Sequence, residues 1–158
     1  MSNTAKHYMW KDGESSNNSP TGTDDLETRF HGLKYSKCDG LNSKGKRKDV
    51  HIEKYADSHE LRVWLGSEGP IREATDIAFA FFFVGDSRQS MYESFVEYVG
   101  NGKIHYWDNV RKKEAFMVLV DQIKPKEDVY NGSIPYLLAE FKFQNLWGEC
   151  PTKDITEF

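Results

Sequence analysis

Five histidines are spread along the chain, at His7, His31, His51, His59 and His105. None stands at a spacing from another ligand that a bound transition metal uses. His51-Ile52-Glu53 places two ligand types on one face of a strand and lacks a third, which fits a surface pair. Serine, histidine and aspartate all occur, but no serine lies in the Gly-x-Ser-x-Gly elbow that presents a nucleophile. The stretch Gly66-Ser67-Glu68-Gly69 is too short to cradle a phosphate, and no lysine follows it. The residues therefore nominate no nucleophile, no general base, no metal site and no cofactor. One group suits binding. Tyr106-Trp107-Asp108-Asn109 joins aromatic faces, on which sugar rings stack, to a carboxylate and an amide that take hydroxyls. The competing reading is that the rings straddle a sheet while Asp108-Asn109 turns the chain.

The elements that hold these residues centre on Ile77 to Trp107. Ile77 to Val84 is an aromatic-rich apolar run that predicts a strand covered on both faces. Ile77, Phe79, Phe81 and Phe83 line one face, and Ala78, Ala80, Phe82 and Val84 the other. The small alanines leave room for a neighbour to lie close. Met91, Tyr92, Phe95, Val96 and Val99 then form a stripe at helical spacing, which predicts a helix over about 88–99. Asp86, Ser87 or Ser90 can cap its start, and Gly100-Asn101-Gly102 ends it.

On either side the patterning is that of strands. Phe30 to Tyr35, Val50 to Tyr55, Leu61 to Leu65, Ala115 to Ile123 and Tyr136 to Phe143 all qualify, the last with Leu137, Ala139, Phe141 and Phe143 inward. Lys124 to Asp128 reads as a charged excursion and Asn131-Gly132 as a turn. The fold class expected is mainly β, a β-sandwich or barrel of about seven or eight strands with one packed α-helix. Residues 26–150 would form the single domain, and 151–158 a polar C-terminal tail.

Residues 1–25 differ from the rest. Glu14 to Thr23 carries no large apolar side chain, so this arm should be extended or flexible unless a partner holds it. Tyr8, Met9 and Trp10 are its natural anchor, and a neighbouring copy the natural place to anchor it. Lys44-Gly45-Lys46-Arg47-Lys48 reads as a solvated hairpin tip. Tyr8, Met9, Trp10, Lys46, Arg47 and Trp147 are the residues expected at a subunit interface.

Composition narrows the function classes. A chain of 158 residues with 14% aromatics has ample material for one core. Its net charge of -4 argues against general nucleic-acid binding. No apolar run approaches the ~20 residues that span a bilayer, so no membrane partner is expected. The N-terminus lacks the pattern of a signal peptide, which makes export an unexpected route. Cys38 and Cys150 can bridge or remain free, and assembly in a cytoplasm favours free thiols.

From Arg72 onward the order of elements resembles that of tailed-bacteriophage tail structural proteins, especially distal-tail and tail-tube proteins. The similar features are the apolar strand Ile77 to Val84, the turn Gly85-Asp86-Ser87-Arg88, the short helix ending in glycines and the strand ending in Tyr106-Trp107-Asp108. A long strand, a loop and a last strand running into Phe143-Gln144-Asn145-Leu146-Trp147-Gly148 complete the likeness, which covers roughly Leu26 to Glu149. It implies a non-enzymatic virion subunit that is assembled in the host cytoplasm. Such a subunit joins copies of itself in a symmetric ring, commonly a hexamer, and contacts other tail proteins. DNA would pass through the ring only as cargo, a passage that an acidic protein eases. Two other readings stand beside it: a carbohydrate-binding β-sandwich module using Tyr106 and Trp107, and a small enzyme whose site forms between subunits.

Overall fold

The computed structural model describes residues 6–46, 51–54, 61–64 and 72–158. Its strands are β1 (His7–Trp10), β2 (Leu33–Asp39), β3 (His51–Lys54), β4 (Leu61–Trp64), β5 (Thr75–Val84), β6 (Ile104–Asp108), β7 (Lys113–Tyr130) and β8 (Ile134–Asn145). A single-turn helix α1 (Leu26–Arg29) precedes β2, and the main helix α2 (Arg88–Gly100) joins β5 to β6. Six strands form one antiparallel sheet in the order β1-β6-β7-β8-β5-β2, and β3 pairs with β4 in a separate hairpin.

The sheet is open, which corrects the expected sandwich or barrel. Among the described residues β1 and β2 end the sheet and share no ladder. They approach through side chains alone: the His7 ring stacks on Tyr35 at 3.8 Å. The layer that a second sheet would have supplied is instead α2, which buries Tyr92, Phe95 and Val99. Phe95 meets Phe81, Phe83 and Phe141 with centroids 5.2, 5.9 and 5.3 Å away, at the tilted and edge-on angles that aromatic quadrupoles favour.

Strand pairing explains which face is covered. Phe79 stands opposite Phe141, Phe81 opposite Ala139 and Phe83 opposite Leu137, so all of them point to the helix side and are buried. The helix therefore lies on the phenylalanine face, and the alanines opposite leave a shallow dent lined by Lys37, Asp121, Glu140 and Lys142. Burial of β5 on both faces is thus corrected. Its second face is only partly covered, with Ala78 exposed and Phe82 and Val84 half-buried.

Local signals set the ends of the elements. Ser87 takes the N-cap position of α2 without a side-chain hydrogen bond, and Ser90 falls inside the helix. At the exit Asn101 Nδ2 donates to the Glu97 carbonyl at 2.9 Å, and Gly102 turns the chain with φ of +91°. The charged stretch after Ile123 is no excursion. β7 continues to Tyr130 beside β8, taking up its misfit in irregularities between Leu119 and Asp121 and between Ile123 and Lys126. The hairpin closes where the Ser133 N–H donates to the Tyr130 carbonyl, and Asn131 and Gly132 supply the two positive φ angles of 51° and 72°. The first expected strand also shifts, because Asp25 accepts from the Thr28 N–H and starts α1, so that β2 begins only at Leu33.

The N-terminal segment belongs to the fold. β1 pairs in register with β6, from His7 opposite Asp108 to Trp10 opposite His105. Arg29 donates to the Met9 carbonyl from the α1 side. Tyr8 to Trp10, expected to anchor the arm on another chain, are paired within this one. Backbone pairing and burial within its own domain hold the segment.

Candidate assembly surface

The residues singled out for binding are scattered by the fold. Tyr106 and Trp107 are both 0% exposed and Asp108 is buried. Tyr106 points inward, with its hydroxyl 2.8 Å from His7 Nδ1 and its ring edge-on to Phe79. Its phenol is held well above the ordinary value, chiefly by burial. Trp107 points to the opposite face and is covered by the tail, donating from Nε1 to the Lys153 carbonyl at 2.8 Å, with Phe158 edge-on. Asp108 accepts from the N–H groups of Val110 and Arg111 and makes the turn. Asn109 is half-buried, its N–H donating to the Lys6 carbonyl. In this arrangement neither ring, expected as a platform for a sugar, presents an exposed face.

The expected interface residues also separate. Tyr8 and Met9 are buried inside the domain. Trp10 is half-buried, stacked on His105 at 5.2 Å and edge-on to Phe158. Lys46 is exposed, and its carbonyl accepts from the Glu73 N–H. Arg47 lies outside the described residues, as do His59 and residues 66–69. Trp147 is 39% exposed beside Leu146 and packs on Phe116. Cys38 and Cys150 are unbridged and buried, and burial raises their thiols to about 12 and about 11, far from a reactive thiolate.

The surface that the sequence left unmarked lies on the sheet face away from α2, at the β7–β8 hairpin. Lys34, Phe82, Val84, Tyr130, Ile134 and Tyr136 line a groove of about 320 Å³. Strand register builds it: Val84 stands opposite Tyr136, Phe82 opposite Leu138 and Lys34, and Tyr130 opposite Ile134. Tyr130 is 61% exposed and Ile134 49% exposed, so large apolar groups face water at the hairpin tip. The hairpin is braced on the other side, where Arg88 at the start of α2 donates to Glu127 at 2.7 Å.

Beside the groove runs a free strand edge. β6 pairs with β7 only from Lys113 to Met117, so among the described residues the rest of β7 bonds to β8 alone. Its irregularities, together with Lys124, Pro125 and Lys126, blunt this edge against strand addition. The hairpin therefore offers its apolar face as the better contact surface. Alternation was the available signal: Tyr130, Ile134 and Tyr136 continue the outer face of their strands, but a charged run hid that β7 extends so far.

No family pattern and no curated protein sequence matches the chain. Solved structures do. Over 90% of its length the chain superposes on 44% of a chain of the phage p2 baseplate in its activated conformation with strontium, at a TM-score of 0.53 and 12% identity. The corresponding p2 baseplate structure with calcium gives 0.53 and 13% identity, with the same coverage. The SPP1 Dit protein, described as a paradigm of the hub adsorption apparatus of phages infecting Gram-positive bacteria, also matches. There the TM-score is 0.42 at 9% identity, over 90% of this chain and 49% of that one. The chain thus spans about half the length of the proteins it resembles, and the likeness is one of fold.

Proposed function

We propose that this chain is a structural, non-enzymatic subunit of a bacteriophage tail at its distal, baseplate end, and that copies of it close into a ring. The observation that carries the proposal is the apolar groove at the β7–β8 hairpin, uncovered among the described residues, on a fold shared with chains of the p2 baseplate. A second exposed apolar spot, Leu146 and Trp147, follows the other end of β8. Twelve residues of strand place the two spots roughly 40 Å apart. Unlike patches at opposite ends of one molecule suit head-to-tail contacts, and such contacts close into rings when the rotation permits.

In this reading Tyr130 and Ile134 of one copy meet the Trp147 end of the next. Lys46 lies close to the Trp147 end, since the neighbouring Gly45 N–H donates to the Gly148 carbonyl. A hexamer is the ring order that the resemblance to tail proteins favours. The net charge of -4 leaves DNA free to move through the ring as cargo. Negative-stain images of the purified protein should show closed rings, and mass spectrometry of purified particles should find the chain in the virion. A protein absent from particles and monomeric at high concentration overturns the proposal.

A further inference from the structure

The N-terminal segment and the C-terminal tail meet over one side chain. His105, on the face of β6 away from the core, is flanked by Trp10 of β1 at 5.2 Å and Phe116 of β7 at 4.5 Å. Its Nε2 lies 2.9 Å from Asp12 Oδ1, just beyond β1, and its Nδ1 3.2 Å from Glu114 Oε2. The far oxygen of Glu114 lies 3.5 Å from the Lys153 ammonium of the tail. Lys153 also stands over the Phe158 ring, which closes on Trp10 and Trp107. Two further lysines stand near this stack: Lys103 lies 5.9 Å over the Phe116 ring, and Lys112 lies 5.7 Å over the Trp107 ring and 3.8 Å from Asp154. Trp147 packs against His105 from the sheet end.

A neutral imidazole donates one hydrogen bond, whereas the imidazolium donates two. Only the protonated ring satisfies Asp12 and Glu114 together. We infer that protonated His105 is a clasp that holds the segment after β1 against β6, and that loss of its proton releases the Asp12 turn. Burial by itself lowers the affinity of this ring for a proton, but the hydrogen bonds and charges of Glu114 and Asp12 outweigh that effect and raise it. The sign follows: the clasp is complete below the ordinary histidine value and is lost as pH rises through the higher folded value. Other tethers remain, since the β1–β6 ladder persists and Tyr98 still donates to Glu14 at 2.7 Å. The effect is thus confined to the turn, since the tail keeps its bonds from the Lys153 N–H to the Lys112 carbonyl and from Trp107 Nε1 to the Lys153 carbonyl. It does not depend on ring formation.

Hydrogen–deuterium exchange of the full chain, corrected for intrinsic rates, tests this at about pH 6 and about pH 8.5. Protection of residues 10–14 should fall about five-fold at the higher pH, while residues 153–158 and β5 stay unchanged. Asp12→Asn removes an exposed partner without disturbing the core, and should abolish most of the change at residues 10–14. His105→Gln should abolish it as well. Equal protection at the two pH values in the unaltered protein overturns the inference, as does an unchanged pH response in Asp12→Asn.

Discussion

Phe81 is fully buried, between Phe79 stacked on one side and Phe95 of α2 edge-on at 5.2 Å. Removing its ring leaves a cavity that a helix and a sheet cannot both move to fill. Phe81→Ala should therefore cost roughly 3–5 kcal/mol, read as a lowered urea midpoint with an unchanged slope. Were the phenylalanine face a seam between copies, the monomer would keep its stability and only assembly would fail. His7 is the second informative residue. It is buried, with Nδ1 on the Tyr106 hydroxyl and Nε2 without a partner among the described residues. Burial, helped by the Arg111 charge, lowers its proton affinity against the pull of Asp108 and Asp25. Its contribution to stability is present above the ordinary value near 6.5 and is lost as pH falls toward the lower folded value. Urea melts at pH 7 and pH 5 should show an acid loss that His7→Gln reduces; an equal loss in both proteins contradicts this.

Helix α2 and the strands around it were legible because apolar spacing is a local property. The stripe Tyr92, Phe95 and Val99 faces the core as its period requires, and Leu137 to Phe143 alternate inward as expected. Which side of β5 the helix would choose was not legible. Small alanines invite close approach, but the larger gain comes from burying four aromatic and branched side chains on the other face. The length of β7 was hidden because Lys124 to Asp128 read as loop, whereas edge strands carry such charges. The site was the least legible part. Tyr106 and Trp107 looked like a stacking platform in a linear reading, and only the tail and β1 reveal that both are covered. The hairpin gives the matching prediction at this scale. Tyr130→Ser with Ile134→Ser removes side chains already half in water, so the monomer melt should move by less than about 1 kcal/mol while oligomers are lost. A large loss of monomer stability would instead make the groove part of the core.

At the scale of the molecule, one open sheet and one helix leave the two sheet faces unequal. The α2 side is filled by aromatics. Among the described residues the other is covered by the C-terminal tail over β1 and β6 and is bare at the β7–β8 hairpin. That asymmetry gives the chain a core of its own and a separate exposed apolar surface, the one on which the proposed ring contact rests. The fold it shares with p2 baseplate chains spans 44% of their length. Sedimentation velocity on the purified protein over a hundred-fold range of concentration tests the central claim most directly. A discrete closed oligomer far heavier than the 18.3 kDa chain, lost in the Tyr130→Ser, Ile134→Ser protein, is the predicted result. A single monomeric species at every concentration contradicts it.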